Sequence, residues 1–272
     1  MTHPKTTMNN TINTKAISVT LDKQGLNYNI EFLPETDSTN AELKRAIYKN
    51  QAGPGNIIIA DSQTQGRGRR GKTWYSPSGE ALYMSICVAS PKRLSDAPKL
   101  VIAAAVAMIR ALRPIVSVKI KWPNDIFLND LKLCGIMSEL ITEKNFCCAI
   151  IGIGLNLYQT LFPQEISNTA ISLKKAGVEF DVNRLISSII WEIDRHVKLI
   201  DERFDDLLSD FSASSLIIDT PVRIIRADSV IDGIVKGFDE NGLLILKAFD
   251  GRLHIIDSGD VSLRRNLHEN HN

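Results

Sequence analysis

The chain has 272 residues, is 44% hydrophobic, and carries 32 basic against 31 acidic side chains for a formal charge of +1. That is enough for one large domain and a small one with a real core, and so even a balance argues against a surface built for nucleic acid. Four cysteines without paired spacing, no apolar leader, and no run long enough to span a bilayer point to a cytoplasmic protein with reduced thiols.

In chain order, residues 1–16 read as a flexible start. Ile17, Val19 and Leu21, then Tyr28, Ile30 and Phe32, alternate at period two and predict two strands joined by a turn at Lys23-Gln24-Gly25. A helix is predicted from Thr39, where Thr39 and Glu42 have capping-box spacing and Leu43, Ala46 and Ile47 make one apolar face. Gly53-Pro54-Gly55 ends that unit. The apolar run Ile57-Ile58-Ile59-Ala60 then leads into Gln63 to Lys72, which packs four cations and three glycines into ten residues. Glycines let a loop close on a ligand, and guanidinium groups offer forked donors to carboxylate or phosphate. An anionic ligand is the natural partner, with a solvated turn or a non-specific nucleic-acid contact as the competing reading. The strand-like run after Trp74 places this loop between two strands, where an active-site lid would sit.

Residues 97–112 are apolar on nearly all sides, which predicts a helix covered by a sheet and by other elements. Strands follow at 116–121, 131–140 and 146–153, separated by short turns as in an antiparallel meander. In Lys119-Ile120-Lys121-Trp122-Pro123-Asn124-Asp125 the proline ends the strand and leaves Asn124 and Asp125 on a turn, either as simple turn residues or as ligand contacts. In Leu131 to Met137, alternation sends Lys132 to the opposite face from Leu133. It is a surface charge if that face is solvated, and a group poised between a carboxylate and a phosphate if it lines a pocket. Gly152-Ile153-Gly154-Leu155-Asn156 permits close backbone approach or a bulge, but lacks the third glycine and the following helix of a dinucleotide site.

Val182, Leu185, Ile186, Ile189, Ile190, Ile193, Val197 and Ile200 recur at helical spacing and predict the longest amphipathic helix, packed on the sheet face. After Asp219 the pattern turns to short strands at 222–226, 230–237, 243–249 and 253–256, with hairpin signals at Asp239-Glu240-Asn241-Gly242 and Asp250-Gly251. This predicts a small β-barrel appended to the larger domain.

Five of these segments occur together in the order and approximate spacing of the biotin protein ligases: Asp37-Ser38-Thr39-Asn40, Gln63 with Gly66 to Gly71 and Trp74, Lys121 to Asp125, Lys132 to Ile136, and Gly152 to Asn156. Over residues 28–264 the chain resembles that family. The resemblance implies an α+β fold, with a mixed, mostly antiparallel sheet covered by helices as in class II synthetases. The catalytic domain would span residues 17–215 and a small C-terminal SH3-like β-barrel 216–268, with a tail at 269–272. It also implies a reaction in which ATP and biotin, with magnesium, give biotinyl-5′-AMP and pyrophosphate, after which a lysine of a biotin carboxyl carrier domain attacks the mixed anhydride.

By the same resemblance, Ser38, Thr39, Asn40, Gln63, Arg67, Gly68, Arg69 and Lys132 hold biotin or its activated carboxyl. Lys72, Trp74, Asn124, Asn156 and Arg264 lie near the nucleotide, and Lys132, Arg69 and Asp125 act at the reacting atoms. No metal ligands are assigned. Two departures stand out: Ala170 occupies the place where some relatives have a tryptophan that covers adenine, and Lys72 replaces a frequent arginine, keeping the charge but losing the fork. The stretch before the catalytic region is too short for a helix-turn-helix domain, so the expectation is a ligase without operator binding, either monomeric or dimeric. A lipoate or octanoate ligase is the alternative within enzymes, and a nucleic-acid-binding module the alternative outside them.

Overall fold

The computed structural model describes residues 11–143, 146–226 and 229–263. It opens with a helix, α1 (Thr14–Asp22), where the alternation of Ile17, Val19 and Leu21 predicts a strand. Asn13 caps it, its side chain accepting from Ala16 N. Ile17 and Leu21, one turn apart, are fully buried, while Val19 between them is 46% exposed. Ile17 and Leu21 at i and i+4 share a face in a helix as well as in a strand, Val19 falls off that face in the helix, and the cap decides for the helix.

Next come β1 (Asn29–Thr36), α2 (Thr39–Tyr48), β2 (Asn56–Gln63), β3 (Ala81–Ala89) and α3 (Lys99–Leu112). They are followed by β4 (Lys119–Lys121), β5 (Asp125–Leu128), β6 (Leu131–Glu143), β7 (Phe146–Asn156), α4 (Val182–Lys198) and α5 (Phe204–Ala213). The seven strands form one sheet in the order β1-β2-β3-β7-β6-β5-β4. Only β1 and β2 run parallel; the other neighbours are antiparallel. Successive residues serve opposite faces: Ile57, Ile59, Met84, Ile86, Ile151 and Ile153 join the core around α3, while Ile58, Cys87, Cys148 and Ile150 meet Leu43 and Ile47 of α2.

Two further expectations need correction. Helix α4 does not lie on the sheet but packs on α3 and α1, forming an outer layer. The physical reason is α3 itself: Ala103, Ala104, Ala105 and Ala107 are all fully buried, so its far side needs a cover as much as its near side. Asp125 is not a turn residue either, since it opens β5 and pairs with Gly135. The turn itself is Trp122-Pro123-Asn124, so Asn124 does lie on it and Asp125 closes it opposite Lys121, while a second tight turn follows β5 at Asn129 and Asp130, both with positive φ (50° and 63°), a conformation that Asn and Asp tolerate.

The carboxy-terminal strands are β8 (Pro221–Ile225), β9 (Val230–Phe238), β10 (Leu244–Ala248), β11 (Leu253–Ile256) and β12 (Asp260–Leu263). They form a five-stranded antiparallel sheet in the order β11-β10-β9-β8-β12. Both hairpins fall where their sequences predict, with Gly242 and Gly251 at φ 79° and 90°. Val222, Ile224, Val235 and Leu244 belong to the same hydrophobic core as α3, so the two sheets share one interior.

Candidate active site

One cavity of 610 Å³ opens on the α2 side of the large sheet. Every site residue proposed from the sequence lines it, apart from Arg264, which lies outside the described residues.

Its first wall is the start of α2. Ser38 occupies the N-cap in extended conformation and makes no capping bond with its side chain, so the helix does not begin with the Thr39–Glu42 capping box. Thr39 is held from elsewhere: its N–H and its hydroxyl both face Gln63 Oε1, at 2.9 and 3.3 Å, and Ser85 Oγ lies 2.7 Å from Thr39 Oγ1. Ser85 also donates to Asn40 Oδ1 at 2.5 Å, and Asn40 Nδ2 donates to Glu139 Oε1 at 2.9 Å. Gly152 is what admits Asn40, because a Cβ there would lie 2.2 Å from Asn40 Oδ1. Below the site, Asp37 accepts two bonds from Arg45 at 2.8 Å. These hold its carboxyl well below the usual range.

The basic loop closes on itself. Arg67 pairs with Thr73, Gly68 N donates to Lys72 O at 2.7 Å and Trp74 N to Gly66 O at 2.9 Å. Gly66 sits so close that a Cβ would be 2.4 Å from Trp74 O. Three of the cations reach outside the loop. Arg69 Nη1 donates to Asn124 Oδ1 at 3.0 Å, Arg70 Nη1 to Ile225 O at 3.2 Å, and Lys72 Nζ to Asp260 Oδ2 at 2.7 Å. Burial lowers the pKa of Arg69, while Lys72 pulls that of Asp260 down. The loop is thus tied to the turn before β5 and to the small sheet.

Trp74 lies across the floor. Its ring rests where Gly154 and Gly135 leave the sheet bare, since a Cβ at either would approach it to 2.5 or 3.0 Å. Lys132 Nζ stands 5.3 Å from the ring centroid and 2.8 Å from Asp125 Oδ1. The open question about its face is answered: Lys132 lines the cavity. A register shift between β5 and β6 sets Ile126 opposite Cys134 and Phe127 opposite Lys132, which leaves Leu133 as the extra residue of a bulge. The bulge lets Lys132 and Gly135, three apart, face the same way.

Asn156 donates to Ile171 O at 3.0 Å and to Lys132 O at 3.5 Å, and its Oδ1 accepts from Gln159 at 3.3 Å. Its amide therefore clamps residues 169–171 beside Lys132, where Lys132 N donates to Thr169 O and Ile171 N to Lys132 O. Ala170 lines the cavity there, with Phe162 under the Lys175 ammonium.

The sequence reading missed Lys121, Asp260, Ser85 and Glu139. Lys121 lines the cavity 5.2 Å from the Phe127 centroid, and burial lowers its pKa. It could have been found, since it belongs to the same motif as Asn124 and Asp125; Ser85, inside an apolar strand, carried no signal. The cavity is lined by five cations (Arg67, Arg69, Lys72, Lys121, Lys132) and two carboxylates (Asp125, Asp260), a surplus suited to anions. Among the described residues no three His, Cys, Asp or Glu side chains cluster to hold a metal, and no helix is long and apolar enough to cross a membrane.

Comparison with known proteins identifies the family. The biotin/lipoate A/B protein ligase family matches residues 32–156, and the biotin protein ligase C-terminal domain matches residues 217–264. The bifunctional ligase/repressor BirA of Salmonella typhimurium is 34% identical over 241 residues, covering 87% of this chain and 74% of that protein. The biotin–[acetyl-CoA-carboxylase] ligase of Mycobacterium tuberculosis is 30% identical over 244 residues, covering 85% and 88%. Among solved structures, the Aquifex aeolicus biotin protein ligase in complex with biotin and ATP superposes with a TM-score of 0.76 at 29% identity, over 88% of this chain and 99% of that one. The chain belongs to the biotin protein ligase family and is an enzyme of that kind.

Proposed function

We propose that the enzyme joins biotin to ATP as biotinyl-5′-AMP, releasing pyrophosphate, and then transfers biotin to a lysine of a biotin carboxyl carrier domain. The observation that carries this reading is the gathering of five cations around one cavity whose other wall is a buried polar helix start. A carboxylate and a triphosphate repel each other, and a preformed set of positive groups lowers the barrier to their meeting. In this reading Ser38, Thr39, Asn40 and Gln63 receive the uncharged polar head of biotin, with hydroxyls and amides already fixed by Ser85 and Glu139. Arg67, Gly68 and Arg69 close over the carboxyl end, and Lys132, steered by Asp125 at 2.8 Å, sits where the carboxylate meets the α-phosphate.

Lys72, Trp74 and Asn124 then face the nucleotide, and the clamp made by Asn156 sets the wall beside it. Lys121 adds a fifth charge to the phosphate side. Magnesium would accompany ATP here and would screen the charge of its phosphates. Asp125 and Asp260 are the carboxylates within the cavity that could complete its shell. Residues 17–215 act as the catalytic unit, with 216–268 as a small SH3-like barrel whose Asp260 and Ile225 anchor the basic loop. A cytoplasmic location is part of this reading, in keeping with the use of ATP. No operator binding is assigned, and gel retardation of a biotin-operon operator is the check on that point.

The test is an intact-mass measurement on a biotin carboxyl carrier domain incubated with the enzyme, magnesium ATP and biotin, with lipoate and octanoate in parallel. Addition of one biotinyl group only when biotin is present supports the reading. Modification by lipoate or octanoate in preference to biotin contradicts it.

A further inference from the structure

Beside the large cavity lies a smaller one of 250 Å³, and Arg69, Trp122, Pro123, Asn124, Ile136 and Met137 line both. Its other walls combine apolar and polar groups: Pro98, Val101 and Ile102 where α3 begins and Leu243 after the β9–β10 turn are apolar, with Ser138 and Asn241 as polar neighbours. The turn is seated firmly. Trp122 Nε1 donates to Gly242 O at 3.2 Å, and Gly242 touches α3 so closely that a Cβ would lie 2.0 Å from Ile102 Cδ1. Asp257 also lines this cavity, with its side chain 66% exposed and 3.5 Å from Arg226. The partition between the two spaces is polar and slender: Arg69 Nη1 bonds to Asn124 Oδ1 at 3.0 Å, and Asn124 Nδ2 to Ile136 O at 2.7 Å.

We infer that the smaller cavity is the passage by which the acceptor lysine side chain reaches the acyl adenylate. This rests on the two-step reaction proposed above and adds a second binding surface to it. A lysine carries a four-carbon apolar stem and a charged tip, which matches apolar walls with an exposed carboxylate among them. The tip must be neutral to attack, and both the apolar lining and the Arg69 charge at the inner end favour loss of its proton. The lone pair of the amine then forms a C–N bond to the acyl carbon, the bond from that carbon to the phosphate oxygen breaks, and AMP leaves with the electron pair. The new amide nitrogen gives up its second proton to water. Pyrophosphate fits the passage poorly, because apolar walls and a carboxylate both oppose a polyanion.

Val101→Trp and Asn241→Trp fill the passage from residues that do not line the large cavity. Two rates are compared in each folded variant: labelling of a carrier domain, and biotin-dependent pyrophosphate release with hydroxylamine as a small trapping amine. The expected result is a loss of about tenfold or more in carrier labelling, with hydroxylamine-driven release within about twofold of the unmodified enzyme. Carrier labelling that stays within about twofold in both variants overturns the assignment, as does a parallel fall in pyrophosphate release, which would tie the cavity to the first step. Failure of the two-step reading is separately visible, because the unmodified enzyme would then release no pyrophosphate in response to biotin.

Discussion

Gly152→Ala tests the polar side of the site through a single methyl group. The added Cβ would lie 2.2 Å from Asn40 Oδ1, 2.9 Å from its Cγ and 3.1 Å from its Nδ2, so the whole amide must move. It cannot move without breaking the Nδ2 bond to Glu139 at 2.9 Å and the bond from Ser85 to Oδ1 at 2.5 Å. A bond to a charged acceptor contributes about 1.5–3 kcal/mol and an ordinary one about 1 kcal/mol. The variant should therefore lose about 2.5–4 kcal/mol of stability, read by urea denaturation. The KM for biotin should rise while that for ATP holds, because Asn40 lines the biotin side of the cavity in this account. Asn40→Ala removes the three crowding atoms, so in that background Gly152→Ala should cost less than about 1 kcal/mol, which is a strong coupling in a double-mutant cycle. Additive costs in the cycle, or an unchanged denaturation midpoint, would refute the reasoning.

Three further outcomes follow from the site. Lys132→Met should lower the rate of biotin-dependent pyrophosphate release by about 10²-fold or more, while thermal denaturation shows a stability change of no more than about 1 kcal/mol, since its pair with Asp125 is partly exposed. Arg69→Gly should keep adenylation but release biotinyl-AMP, seen as biotin on lysines of bystander proteins; tight retention of the adenylate would count against this. The Asp37–Arg45 pair gives an acid-side signature. Because bonds from Arg45 depress the folded pKa of Asp37, its stabilisation is fully present above the unfolded carboxylate value of about 4 and is lost as pH falls below that towards the folded pKa. Asp37→Asn should flatten that part of the stability–pH curve, and an unchanged acid limb would contradict the role given to the pair.

Much of the site was legible because its chemistry is written in local composition. A run with four cations and three glycines announces a ligand loop, and the loop does line the cavity with Arg67, Arg69 and Lys72. What the glycines of Gly152 to Asn156 are for was not legible, because their partners, Asn40 and Trp74, are about eighty residues or more away in sequence and only the sheet brings them together. The face of Lys132 was equally hidden, since a bulge at Leu133 breaks the alternation on which such reasoning depends. In the fold, the hairpins at 239–242 and 250–251 were readable from turn chemistry. Helix α1 was not, because Ile17 and Leu21 at i and i+4 fit either period and the exposed Val19 between them imitates an alternation, and β12 was missed because four residues after Gly259 carry too little pattern. Ser85 shows a further limit, as a single hydroxyl in a buried strand looks like a substitution until its two partners are seen.

The central claim is that the clustered cations bring a carboxylate to the α-phosphate of ATP. Biotin-dependent exchange of labelled pyrophosphate into ATP measures that step alone. The account predicts exchange with biotin, none with biotinamide, which lacks the carboxylate, and near-complete loss in Lys132→Met. Equal exchange with biotinamide, or undiminished exchange in Lys132→Met, would contradict it.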